Sequence, residues 1–210
     1  MRDDRKQGIS YGYVGVPKGG LNINGVDFPA GPRPAGKSGW FKQLLMAGCE
    51  EISQAEYEAS LGRLAAHGIN LSPHVVIGLH YGHIRGEREA LQRISRFPIS
   101  SLVLVGLLPL YDTPMEGLSP PSPEEMAQFF LESRALFPRT PILLGCERPG
   151  GEHKQQTDLF ALLAGINGVA YPAEGTVRAA RSLGLDPIFS PWCCSLLFGL
   201  PELKSSGVKA

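Results

Sequence analysis

The feature that most constrains this chain is a series of short, continuous apolar runs, each followed by a segment with helical periodicity. Val75-Val76-Ile77-Gly78-Leu79, Leu102–Leu108 and Ile142-Leu143-Leu144 hold no charged or polar side chain. A strand with one wet face alternates, whereas a strand covered on both faces reads as an unbroken run. Between and after these runs the spacing predicts helices over Gly86–Ser95, Ser122–Leu136, Glu152–Ala164 and Ala173–Leu183. A short strand over Gly168-Val169-Ala170-Tyr171 and a last extended segment over Pro187–Ser190 complete the series.

The punctuation agrees with that division. Ser122-Pro123-Glu124-Glu125 offers an N-cap hydroxyl, a proline at the first helical position and acids in the first turn. Ser53-Gln54-Ala55-Glu56 is a second capping box, ahead of a stripe made by Tyr57, Leu61, Leu64 and Ala65. Gly68, Gly165 and Gly184 stand where helices should stop, and Pro109 ends the second strand. The repeating unit is strand, loop, helix, roughly 30 residues long, which implies parallel strands joined by right-handed crossovers. The expected fold is therefore α/β, a partial parallel (β/α) barrel of about four to five units. It is expected to occupy residues 51–200, with a tail over 201–210.

Residues 1–50 break the plan. Gly and Pro crowd this stretch, which reads as irregular, with at most one short strand near Leu21–Phe28 and a helix from Trp40 to about Ala47. Gly31-Pro32-Arg33-Pro34-Ala35-Gly36-Lys37-Ser38 matches the phosphate-binding pattern G-x-x-x-x-G-K-[ST]. Pro32 and Pro34, however, delete backbone N–H donors that such a loop needs. The segment Asn24–Pro29 is a poor buried strand, and no convincing metal-binding aspartate follows at the end of a strand, since Asp112 lies past Pro109. A chance Gly/Pro loop is the better reading, with a nucleotide-binding phosphotransferase as the rival.

Twenty basic and twenty acidic residues leave a formal charge of zero, which argues against the basic face of a nucleic-acid-binding protein. No apolar run reaches the length of a membrane helix. The first residues, Met1-Arg2-Asp3-Asp4-Arg5-Lys6-Gln7, lack the apolar segment of a secretory signal. A soluble cytoplasmic protein is expected, so the four cysteines read as thiols or metal ligands rather than as a disulfide framework.

In parallel α/β sheets, ligands meet the carboxyl ends of the strands. Here those ends carry His80-Tyr81-Gly82-His83, Pro109–Glu116, Cys146-Glu147-Arg148-Pro149-Gly150-Gly151, Pro172-Ala173-Glu174 and Trp192-Cys193-Cys194. Cys146, Cys193 and Cys194 can ligate an iron–sulfur cluster or another soft metal, with Arg148 lowering their pKa. They can equally be small buried hydrophobes. His74 reads as a buried, hydrogen-bonded residue, and His80 and His83 as polar loop residues able to converge. Asp112, Glu116, Glu147 and Arg148 are loop charges able to orient a polar substrate, and Asp158 reads as a charge on a helix face.

Four of these segments together resemble the C-terminal portion of radical S-adenosylmethionine enzymes of the biotin synthase and lipoyl synthase group. Pro73–Gly82 is similar to that family's fifth-strand motif, and Leu107–Met115 to its sixth, with Asp112 where glycine is usual. Leu144–Gly151 and Cys193-Cys194 complete the likeness, which spans roughly residues 51–197. It implies an adenosyl-binding role for Ile77, Gly78, His80, Pro109 and Arg148. It also implies S-adenosylmethionine and an iron–sulfur cluster as cofactors, with Cys146, Cys193 and Cys194 as candidate metal ligands. The C-x-x-x-C-x-x-C loop that holds the family's cluster is absent. The chain thus looks like strands five to eight without strands one to four, a fragment or a degenerate relative, and should not cleave the cofactor alone. A cluster-free binding or scaffold subunit is the alternative. An unpaired first strand invites self-association or a partner subunit along its edge.

Overall fold

The computed structural model describes residues 21–23, 26–28, 54–113, 115–191 and Cys194. The chain divides into two units, Met1–Tyr57 and Glu58–Ala210. Within the first, β1 (Leu21–Ile23) and β2 (Val26–Phe28) pair antiparallel, with Ile23 opposite Val26. At most one strand was expected there, and the structure has two. The Trp40–Ala47 helix, the 31–38 phosphate-binding pattern, the Ser53 cap, Trp192 and Cys193 lie outside the described residues.

From α1 (Gln54–Ala66) onward strand and helix alternate. The order is β3 (His74–Ile77), α2 (Glu87–Ile94), β4 (Leu102–Gly106), α3 (Pro123–Leu136), β5 (Ile142–Leu144), α4 (Gly151–Leu163), β6 (Gly168–Val169) and α5 (Thr176–Ser182). The strands form a four-stranded sheet in the order β3-β4-β5-β6, every neighbouring pair parallel. Register places Ile77 beside Gly106, Leu104 beside Leu144 and Leu144 beside Val169. The protein is α/β, and among the described residues the sheet is open, with β3 and β6 at its edges.

Local chemistry fixes the helix ends. Ser122 caps α3: its hydroxyl accepts from the Glu125 N–H at 3.2 Å, while the Glu125 carboxylate accepts from the Ser122 N–H at 2.8 Å. Gly68, Gly165 and Gly184 follow their helices with φ between 71° and 75°. The next N–H then reaches back to a carbonyl five residues earlier, as in Ile69 to Leu64, Ile166 to Ala161 and Leu185 to Ala180. That left-handed stop suits a residue without Cβ.

Alternation along the strands sends their side chains to two faces. Val75, Ile77, Leu102, Leu104, Ile142 and Leu144 join Leu91 and Ile94 of α2, Met126, Phe129 and Phe130 of α3, and Ala161 of α4 in one buried cluster. Val103, Val105 and Leu143 point the other way and pack with Val76, Ala170 and Cys194. Helices therefore stack on one face, and the second face is narrow and aliphatic. At Gly145 a Cβ would lie 2.4 Å from Val105 Cγ1, so only glycine lets the end of β5 pass over that face.

Phe129 and Phe130 have no exposed surface and tie α3 to the sheet. Phe129→Ala should cost about 3–5 kcal/mol through lost burial and a residual cavity. Ser122→Ala, which removes one reciprocal cap, should cost about 1 kcal/mol. Urea unfolding of the two variants beside the wild type checks both the size and the order.

Candidate functional site

Because every strand of the sheet runs the same way, the carboxyl ends of β3, β4, β5 and β6 share one rim with the amino ends of α2, α3, α4 and α5. The loops on this rim are irregular, and their backbone donors must find partners outside any ladder.

At the β3 end the partner is Glu87, in the first turn of α2 and buried. Its Oε1 accepts from the N–H of Gly78 at 2.8 Å and of Leu79 at 3.2 Å, and its Oε2 accepts from the N–H of Arg85 at 2.6 Å. Gly78 has φ 86°, and a Cβ there would lie 2.3 Å from Pro121 Cγ. The β3 loop is thereby pressed against the segment that leads into α3. His80 Nε2 accepts from Arg85 Nη1 at 2.9 Å, since a guanidinium can only donate. The His80 ring meets the Tyr81 ring edge-on, with centroids 5.5 Å apart.

The end of β4 lies beside this loop, with the Leu107 N–H donating to the Ile77 carbonyl at 2.9 Å. Beyond it Leu108, Leu110 and Tyr111 are exposed, Tyr111 by 85%. The loop then folds on itself: Thr113 Oγ1 donates to the Leu110 carbonyl at 2.7 Å, and the Asp112 N–H donates to Glu116 Oε2 at 2.8 Å.

A buried ion pair organises the β5 and β6 ends. Arg148 Nε donates to Asp158 Oδ1 at 2.7 Å and its Nη2 to Oδ2 at 3.1 Å, with no exposed surface on either side chain. Arg148 Nη1 also donates to the Gly145 carbonyl at 2.6 Å, and Nη2 to the Tyr171 carbonyl at 3.3 Å. Asp158 Oδ2 accepts in addition from the Ala173 N–H at 2.7 Å and from Thr176 Oγ1 at 3.2 Å. Lys154 Nζ donates to the Tyr171 carbonyl as well. Burial, followed by the nearby Arg148 charge, pulls the Lys154 ammonium below the ordinary lysine pKa, against a smaller opposing pull from Asp158. Nearby, His153 Nε2 donates to the Pro121 carbonyl at 2.8 Å and Nδ1 accepts from Thr157 Oγ1 at 3.2 Å.

Among the described residues, the non-glycine residues with positive φ are Tyr81, Asp112 and Tyr171. Each follows a strand on this rim. The left-handed region costs an ordinary residue roughly 1–2 kcal/mol, and such conformations concentrate at functional sites. Tyr81 and Tyr171 are exposed by 57% and 58%, so burial of their rings does little to offset that cost.

The expected site residues fall into three groups. His80 is exposed on the rim, and Pro109 beside it is half-buried. Ile77 and Gly78 are buried, Ile77 within the helix-side core, and their backbone groups are engaged by Leu107 and Glu87. Arg148 is buried in its pair with Asp158, where its charge is already compensated. Cys146 is half-buried at the β5 end, whereas Cys194 packs against Val103, Val105 and Leu143 on the second face. No group of three His, Cys, Asp or Glu side chains able to hold a metal is found among the described residues. His80 and His83 do pair through their backbones, and His74 is exposed rather than buried, its Nδ1 donating to the Ser72 carbonyl at 3.0 Å.

Two rim residues carry more than the sequence assigned them. Asp158, read as a surface charge, is buried because it shares a helical stripe with Thr157 and Ala161; an acid on an apolar stripe was the available signal. Glu87 had none, since an acid in a first turn is ordinarily solvated.

Asp158→Ala should destabilise the fold by about 3–5 kcal/mol, because it strands the buried Arg148 charge. Arg148→Met combined with Asp158→Leu should recover much of that loss. Denaturant midpoints of the two variants decide it: a single variant that unfolds like the wild type would remove the pair's structural role. Comparison with protein families, with curated proteins and with solved structures returns no match for this chain.

Proposed function

We propose that this chain binds the adenosyl part of S-adenosylmethionine on the rim formed by the ends of β3 and β4. On this reading it serves as the C-terminal half of a protein like the biotin- and lipoyl-synthase group of radical S-adenosylmethionine enzymes. The observation that carries the reading is the parallel register of β3 and β4, through which the His80 loop and the Leu108–Tyr111 loop leave the sheet side by side. Exposed apolar and aromatic side chains on an otherwise clamped frame suit a flat, partly apolar ligand. The order β3-β4-β5-β6, with helices on one face and a small aliphatic second face, also suits an arc of a (β/α) barrel completed by another segment or chain.

Bound here, the adenosyl part would be held by the β3 and β4 loops, and the reductive cleavage of the cofactor's sulfonium bond would supply radical chemistry only with an iron–sulfur cluster held elsewhere. This chain's own residues bind and orient. Glu87 holds the β3 loop, Glu116 holds the β4 loop, and the Leu110 and Tyr111 side chains offer the contact surface. Cys146 is half-buried at the β5 end, and Cys194 packs on the second face of the sheet. A partner subunit or a second copy along the β3 edge is part of the same reading, as is a cytoplasmic location; no described helix is long and apolar enough to cross a membrane.

Titration calorimetry with S-adenosylhomocysteine tests the proposal. Saturable binding of one ligand per chain is expected, and Leu110→Asp, which places a charge among the contact side chains, should weaken it at least tenfold, a loss of about 1.4 kcal/mol. Wild-type protein that gives no heat of binding would end the adenosyl reading.

A further inference from the structure

The β3 loop is braced far more heavily than a connection of its length requires. The Glu87 carboxylate holds three of its backbone donors. The Gly82 N–H donates to the Gly78 carbonyl at 2.9 Å, and the His83 N–H to the His80 carbonyl at 3.0 Å. At Gly82, with φ 86°, a Cβ would fall 2.1 Å from the Ser119 carbonyl oxygen, so the loop lies flat against the segment before α3. At the centre of this frame stands Tyr81, its φ of 50° in the left-handed region and its ring more than half exposed.

Those facts conflict unless the ring has a use. Glycine and asparagine adopt the left-handed region at low cost, and tyrosine does not. An exposed aromatic ring repays little of that strain by burial. His80 then stiffens the arrangement: Arg85 fixes its imidazole, and the imidazole meets the tyrosine ring edge-on. A rigidly presented aromatic surface is what binding a flat ligand requires, because little freedom is lost when the ligand arrives. Tyr111, 85% exposed, lies in the loop after the neighbouring strand β4.

We infer that Tyr81 is the stacking platform for the ligand's heteroaromatic base, with His80 and Arg85 acting as its positioning residues. This inference rests on the adenosyl reading above and adds to it the residue that discriminates ring from tail. Stacking is indifferent to the methionine end, so the same fold-loss should follow from Tyr81 whether the ligand is S-adenosylhomocysteine or adenosine alone.

The test uses the full chain with Tyr81→Phe, Tyr81→Ala and Tyr81→Asn, titrated with both ligands and followed by thermal unfolding. Tyr81→Phe keeps the ring and should bind as the wild type does. Tyr81→Ala and Tyr81→Asn should each bind about tenfold more weakly, by the same factor for both ligands. Tyr81→Asn should leave the unfolding midpoint unchanged or raised, because it relieves the left-handed strain. Wild-type affinity retained by Tyr81→Ala overturns the inference while leaving the adenosyl reading intact. A midpoint lowered in Tyr81→Asn also overturns it, since Tyr81 would then be structural. Absence of binding by the wild type removes the reading and this inference with it.

Discussion

The Arg148–Asp158 pair is the interaction on which the rim depends. It lies wholly out of water, and an ion pair in that position contributes only if its remaining donors and acceptors are also satisfied. Here they are: the guanidinium also reaches the Gly145 and Tyr171 carbonyls, and the carboxylate also takes the Ala173 N–H and the Thr176 hydroxyl. The result is one knot that joins the end of β5, the middle of α4, the end of β6 and the start of α5. Strand β6 has only two residues and could not hold its loop by ladder bonds alone. The pair supplies the order that the short strand lacks.

Glu87 solves the same problem at the opposite edge. Strand β3 borders the sheet, and its loop turns through three left-handed residues, Gly78, Tyr81 and Gly82. A loop so bent pairs only some of its donors internally, and a single buried carboxylate takes three of the others. Together the two acids leave the rim shaped by charge and hydrogen bonding rather than by apolar packing. That division explains why apolar and aromatic side chains such as Leu110, Tyr111 and Tyr171 remain on its surface.

The parallel sheet was legible in the sequence because its cause is local and repeated. Unbroken apolar runs at β3, β4 and β5 announce strands covered on both faces, and Ser122, Gly68, Gly165 and Gly184 announce helix ends by conformational preference alone. The clamps were not legible in that way. Glu87 binds a loop eight and nine residues earlier in the chain, and Asp158 serves groups ten residues before it and fifteen after. No periodicity records such pairings. Tyr81 was visible as a loop residue, but its left-handed backbone depends on the neighbouring glycines, the Glu87 clamp and the Ser119–Pro121 segment acting together. The single expected strand at Leu21–Phe28 became a hairpin because two three-residue strands are too short to show a pattern of period two.

The two ends of the sheet use opposite charges for one physical reason. At the rim the helices begin, and their first turns expose N–H groups and the positive end of the helix dipole, which carboxylates complement. Glu87 and Glu125 both act there. At the other end the helices finish and expose carbonyls. There Arg134, in the last turn of α3, donates to the carbonyls of Phe137, Thr140 and Gly165 and to Asn167 Oδ1, at 2.6–3.0 Å. Burial pulls its guanidinium pKa down, a cost accepted because the αβ connections beneath the sheet are fixed in return. Arg134 spends its donors on backbone and presents little to a ligand. Glu87, Glu116 and Glu125 at the rim likewise spend their oxygens on backbone, and hold the loops in place. In this fold, charge builds the frame, and the frame displays uncharged rings and aliphatic side chains such as Tyr81, Leu110 and Tyr111.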